Sequence, residues 1–151
     1  MILLRHGESQ WNLENRFTGW TDVDLSKNGI LEATLSGQIL NKYSFDFDLV
    51  YSSLLLRANR TANICLKEMG INNIPINYSW RLNERHYGSL QGLKKDETTQ
   101  KYGEKQVLIW RRSYNIPPPA LEINDKRHPR FDNRYDDLNK NQLPASESLK
   151  D

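Results

Sequence analysis

Residues 45–78, FDFDLVYSSLLLRANRTANICLKEMGINNIPINY, decide the fold. Phe45 to Ser52 reads as a strand, and after it Leu54, Ala58, Ala62, Cys65 and Met69 mark one helical face that stops at Gly70. Ile74 to Tyr78 is the next strand candidate. Upstream, Ser26 can cap a helix whose stripe is Ile30, Ala33, Gly37 and Leu40, with its end expected near Asn41. Met1 to Leu4 is a short continuous apolar run, the kind buried on both faces of a parallel sheet. Strand, helix, strand, helix, strand is the signature of right-handed parallel crossovers. The expectation is an α/β domain with a mostly parallel sheet and helices on both faces.

Beyond Tyr78 the pattern changes. A stretch without a clear period runs to Gly92, then helix candidates lie near Lys94 to Tyr102 and Glu104 to Tyr114, with Pro117, Pro118 and Pro119 ending the second. From Ala120 to Asp151 the chain is polar, carries scattered prolines and shows no helical or strand period, so it reads as an insertion.

Composition sets bounds on function. The 151 residues hold 21 Lys and Arg against 19 Asp and Glu, and a net charge of +2 that is interspersed along the chain argues against a nucleic-acid or polybasic membrane surface. Cys65 is the single cysteine, so no internal disulfide or thiolate metal cluster can form, which fits a reducing compartment. The apolar start is broken at once by Arg5 and His6 and is too short for a secretory or membrane segment. A soluble, cytoplasmic protein is expected.

Ligands of open parallel sheets bind outside the carboxyl ends of the strands, and Leu4-Arg5-His6-Gly7 is expected to sit at such an end. An imidazole nitrogen can attack phosphorus, provided the other ring nitrogen is held as a donor. Gly7 permits close backbone approach, and Arg5 offers a planar, permanently charged fork for phosphate oxygens. Taken alone, the tripeptide reads more readily as a strand-end His and Arg that are merely solvated. Arg57 falls in the first turn of the predicted second helix, where a cation opposes the helix dipole unless an anion sits there.

The wider string is more specific. LLRHGESQWN (3–12), RFTGWTDVDLS (16–26), YSSLLLRA (51–58), WRLNERHYGSLQGL (80–93) and KYGEKQVLIWRRSYNIPPP (101–119) resemble, in order, signature blocks of the cofactor-dependent phosphoglycerate mutases of the histidine phosphatase superfamily. That resemblance implies a metal-free isomerase of glycolysis and gluconeogenesis that interconverts 2-phosphoglycerate and 3-phosphoglycerate through a phosphohistidine and 2,3-bisphosphoglycerate. It assigns His6 as the phosphorylated residue, Arg5 and Arg57 as holders of the transferring phosphoryl group, and Glu84 as the proton donor and acceptor. It further implies substrate contacts from Ser9, Asn12, Thr18 and Gly19, and from Arg85, Tyr87, Lys95, Arg111 and Arg112 for the second phosphate and the carboxylate.

The implied chemistry makes physical demands. A carboxyl in the role of Glu84 must be buried or stand beside a negative charge, such as bound phosphate, to act as an acid at neutral pH; without the motif, an ion pair with Arg85 would be the plainer reading. Arg111 and Arg112 point about 100° apart on a helix, so they can share one ligand only if the helix is ending there. His86 is read as a supporting residue and His128 as an exposed loop histidine, and the four tryptophans as core and pocket walls.

One part of the resemblance is missing. Members of that family continue into a further strand and a His-Gly-Asn segment whose histidine faces the nucleophile, and none of the three histidines here lies in such a string. Residues 1–151 are therefore expected to be a single catalytic domain, truncated at its C-terminal side, with exposed sheet edges that favour a homo-oligomer. The alternatives are a bisphosphoglycerate synthase or phosphatase of the same superfamily, or an inactive phosphate-binding fragment. The expected partners are small phosphorylated three-carbon acids.

Overall fold

The computed structural model describes residues 1–151 and divides into two compact units. The first comprises Met1–Leu13 and Asp22–Asn83; the second comprises Glu14–Thr21 and Glu84–Asp151. No helix is long and apolar enough to cross a membrane.

The first unit opens with a one-turn helix, α1 (Gln10–Leu13), followed by α2 (Lys27–Lys42). Ser26 is the N-cap of α2, its Oγ accepting from Gly29 N at 3.0 Å, as the sequence predicts. Of the anticipated stripe, Ala33 and Gly37 are buried while Ile30 and Leu40 are half-buried. The helix runs one residue past Asn41, and Ser44 turns the chain away with φ of 55°. A Cβ at Gly37 would lie 2.7 Å from Cys65 O and from Glu68 Cβ, so glycine lets α2 press against α3 (Leu56–Glu68). The most buried stripe on α3 is Arg57, Thr61 and Cys65, at a spacing of four, whereas Ala58 and Ala62 are only half-buried. The buried face is thus rotated from the one expected, and it carries a polar pair, Arg57 and Thr61.

Strands β1 (Val50–Ser52) and β2 (Ile76–Tyr78) pair in parallel, with Val50 opposite Ile76 and Ser52 opposite Tyr78, joined by the α3 crossover. The α/β class and parallel pairing read from the sequence are present. Both strands are shorter than expected. Met1 to Leu4 is not a strand: Met1, Leu3 and Leu4 are exposed, and the run pairs with neither β1 nor β2. An apolar run becomes a strand only when neighbours satisfy its backbone, and the sheet consists of β1 and β2 alone.

The second unit is built on α4 (Lys95–Tyr102) and α5 (Glu104–Arg112), separated by Gly103. Phe17, Leu90 and Val107 form its core, with Tyr87 and Trp110 packed against them. The segment read as an unstructured insertion is anchored instead. It carries 3₁₀ turns at Pro129–Phe131, Asn133–Tyr135 and Lys140–Gln142, and it buries Leu121, His128, Tyr135 and Ser148. His128 is not exposed: its ring caps the turn at Pro129, Nδ1 accepting from Arg130 N at 3.2 Å.

Candidate active site

In the first unit the structure brings together His6 and Arg57. His6 Nδ1 lies 2.7 Å from Gly7 O; a carbonyl only accepts, so the ring proton sits on Nδ1. Arg57 Nε donates to His6 Nε2 at 3.3 Å, and a guanidinium cannot accept, so Nε2 carries a lone pair. Both partners select one tautomer, the one a nucleophilic imidazole needs. Arg57 is 0% exposed, so its charge acts in a medium where screening by water is weak.

His6 does not follow a strand, as the sequence suggested; its loop is positioned by the starts of two helices. Gly7 N donates to Thr61 Oγ1 at 3.1 Å, and that hydroxyl donates to Arg57 O at 2.7 Å. From the α2 side, Ser26 N donates to Glu8 O at 2.8 Å, Ser26 Oγ donates to Glu8 Oε1 at 2.6 Å, and Glu8 N donates to Glu32 Oε2 at 2.7 Å. A Cβ at Gly7 would meet Gly29 O at 2.2 Å, and one at Gly29 would meet Glu8 O at 2.0 Å, so only glycines permit this approach. Sequence reading missed Thr61 and Glu8. The available signal was the four-residue spacing of Arg57 and Thr61, which puts both on one helical face.

The other predicted residues of this unit are placed differently. Arg5 is exposed. Ser9 is 0% exposed and forms a reciprocal cap with Asn12: Ser9 N donates to Asn12 Oδ1 at 3.0 Å and Asn12 N to Ser9 Oγ at 3.1 Å.

In the second unit, Thr18 and Gly19 form a buried turn, with φ of 56° at Gly19 and Trp20 N donating to Gln91 Oε1 at 2.7 Å. Thr18 Oγ1 is buried without a hydrogen-bond partner. Arg85 Nη2 donates to the carbonyls of Trp110 at 3.0 Å and Arg111 at 2.7 Å, its guanidinium lies 4.5 Å from the Tyr87 ring centroid, and Nη1 is buried with no partner. Tyr87 packs 5.3 Å from Phe17, and the Lys95 ammonium lies 6.0 Å from the Phe17 ring. Arg111 and Arg112 are the last two residues of α5, so the helix ends where a shared ligand requires it to end. Glu84 is half-buried at the start of this unit's second segment.

His86 is a structural centre of the same unit. It is 0% exposed, its Nδ1 accepts from Gly88 N at 3.0 Å, and its ring packs 5.7 Å from Trp20. Burial first, then the charges of His128 and Arg127, lower its pKa to about 4. His128 is lowered too, by burial and then by Arg130. A buried neutral histidine binds its proton more readily when unfolded, so stability is fully present above about pH 6.5 and is lost as pH falls toward 4. His86 alone should contribute a loss on the order of 3 kcal/mol across that window. Denaturant titrations at stepped pH will show the decline if His86 is buried and neutral; a flat profile from pH 7 to 4 would contradict it.

Comparison with known proteins bears on this geometry. Residues 1–148 match the model of the histidine phosphatase superfamily (branch 1). The chain belongs to that superfamily. It is 58% identical over 151 residues to the 2,3-bisphosphoglycerate-dependent phosphoglycerate mutase 2 of Bacteroides thetaiotaomicron, and 58% identical to the 2,3-bisphosphoglycerate-dependent phosphoglycerate mutase of Bacteroides fragilis. In both cases the match covers 100% of this chain and 61% of the relative, so the chain spans about three fifths of their length. Among solved structures of the superfamily's fold, it is similar to a mycobacterial glucosyl-3-phosphoglycerate phosphatase complexed with VO3 (TM-score 0.67, 30% identity, 76% of this chain and 52% of that one). It is also similar to the phosphoglycerate mutase of Bacillus anthracis (TM-score 0.59, 28% identity, 69% of this chain and 52% of that one).

Proposed function

We propose that this histidine phosphatase superfamily member is a 2,3-bisphosphoglycerate-dependent phosphoglycerate mutase, an isomerase that interconverts 2-phosphoglycerate and 3-phosphoglycerate through a phosphohistidine at His6. The observation that carries the reading is the ring of His6, with Nδ1–H bound to Gly7 O and the Nε2 lone pair facing a buried arginine. The 58% identity to mutases directs the choice within the superfamily.

Each unit by itself offers groups suited to the anionic groups of a bisphosphorylated three-carbon acid. Arg57 supplies buried positive charge beside the attacking nitrogen, and in the second unit Arg85 Nη1 and Thr18 Oγ1 are buried polar atoms with no protein partner. When bound, 2,3-bisphosphoglycerate supplies the phosphoryl group that primes the enzyme. His6 Nε2 offers the lone pair for the new N–P bond, and Gly7 O stabilises the positive charge that the ring then acquires. Arg5 and Arg57 hold the phosphoryl oxygens by charge. Glu84 gives a proton to the substrate oxygen that leaves phosphorus and takes one from the hydroxyl that accepts it. Ser9, Asn12, Thr18 and Gly19 orient the acid, while Arg85, Tyr87, Lys95, Arg111 and Arg112 bind its carboxylate and second phosphate. The same proposal treats residues 1–151 as one catalytic domain of a cytoplasmic homo-oligomer that needs no metal.

Mutase and phosphatase activities, measured on one preparation of the full-length protein with and without added 2,3-bisphosphoglycerate, test this reading. Isomerisation stimulated by 2,3-bisphosphoglycerate is expected, with slower release of inorganic phosphate. Hydrolysis without isomerisation would make water the acceptor and overturn the mutase assignment. Glu84→Gln, which keeps shape and removes the proton, should lower turnover about a hundredfold with little change in ligand affinity. Steady-state kinetics with unchanged turnover would remove Glu84 from the proton path.

A further inference from the structure

The C-terminal segment of the second unit ends in a contact that no local pattern announces. Glu147 N donates to His86 O at 2.9 Å, and Glu147 Oε2 accepts from His86 N at 2.6 Å. One residue therefore closes on both backbone polar groups of another 61 positions away. The short second bond has the length of a charge-assisted one, about twice as strong as a neutral pair. Glu147 is itself held in place: Leu121 N donates to Ala145 O at 2.9 Å, Ser146 Oγ donates to Pro118 O at 2.6 Å, and buried Ser148 donates from N and Oγ to Asp151 Oδ2, both at 2.8 Å.

His86 separates the residues that the proposed function requires. On one side stand Glu84 and Arg85, on the other Tyr87. Gripping the amide and carbonyl of His86 immobilises the peptide planes on both sides of it, which sets where Arg85 and Tyr87 project. The ordering continues outward: Arg85 reaches the carbonyls of Trp110 and Arg111 at the end of α5 and stacks on Tyr87. Burial raises the pKa of Glu147, against the His86 N–H and Arg85 that pull it down and Asp151 that adds to the rise.

We infer that Glu147 is a positioning residue, a carboxylate that locks the Glu84–Tyr87 segment and, through Arg85, the end of α5 carrying Arg111 and Arg112. This rests on the proposed function for its ligand and on the structure alone for its mechanics. Residues 121–151 thereby serve the site by presenting Glu147 to His86.

The full chain is compared with Glu147→Ala and Glu147→Gln by two measurements. The first is hydrogen exchange of the His86 amide, with the core amides of Leu90 and Val107 as internal controls for global stability. The second is affinity for 3-phosphoglycerate by calorimetry. In Glu147→Ala, His86 should exchange at least tenfold faster while the controls hold, and affinity should fall about tenfold or more. Glu147→Gln, whose amide oxygen can still accept, should restore affinity to within about threefold of the parent. Unchanged His86 exchange in Glu147→Ala would overturn the locking role outright. Unchanged affinity, or a Glu147→Gln variant as weak as Glu147→Ala with equal loss at the control amides, would reduce Glu147 to general fold support. If the unaltered chain bound no 3-phosphoglycerate, the proposed function would fail by itself, and the exchange measurement would still decide whether Glu147 locks the segment.

Discussion

His6→Ala is expected to abolish phosphorylation of the protein by 2,3-bisphosphoglycerate and to lower isomerisation by at least about a thousandfold, the scale of losing a covalent nucleophile. The expectation follows from geometry as well as resemblance. His6 is the histidine whose ring is held by an acceptor on Nδ1 and faced by a buried cation at Nε2. His86 and His128 are buried as caps, with Nδ1 of each accepting from a backbone amide two residues onward. His6 is half-buried, so its removal leaves a small cavity and should cost little stability. Radiolabelling and thermal unfolding of the same preparation separate loss of chemistry from loss of fold. Residual labelling near the parent level would place the phosphoryl acceptor elsewhere.

Arg57→Gln should lower turnover by about a hundred- to a thousandfold, the effect of removing one donor that stabilises charge developing in a transition state. Arg57 is positioned three ways at once: it lies in the first turn of α3, its carbonyl accepts from Thr61 Oγ1, and its Nε faces His6 Nε2. A cation at a helix start opposes the helix dipole, and a buried one also incurs desolvation, so the fold alone gives little reason to keep it there. Arg57→Lys should recover only part of the activity, because an ammonium cannot supply an Nε–H and a second donor in one plane. Turnover within threefold of the parent in Arg57→Gln, measured by steady-state kinetics, would assign Arg57 to structure only.

The parts of this molecule that were legible in its sequence are those governed by neighbours along the chain. Ser26 capping α2, the turn at Gly70 after α3, and α5 ending at Arg112 ahead of three prolines all follow from local rules. The parallel pairing of β1 and β2 followed from the crossover helix between them. Met1 to Leu4 misled because apolar composition does not supply a pairing partner. Residues 120–151 looked structureless because their order comes from contacts such as Leu121 with Ala145 and Glu147 with His86, which have no period to detect. The site was legible as a set of residue types in motif order. Its support was not: Thr61 under Gly7, Glu8 on Ser26 and Gly29 against Glu8 are long-range polar contacts and close approaches that only the folded backbone reveals.

The central claim is that His6 attacks phosphorus through Nε2, because Gly7 O occupies Nδ1–H. Trapping the phosphorylated protein at alkaline pH and recording its ³¹P and ¹⁵N spectra tests it most directly. A single phosphohistidine at His6 substituted on Nε2 is the predicted result; phosphate on Nδ1 of His6, or on any other residue, would contradict it.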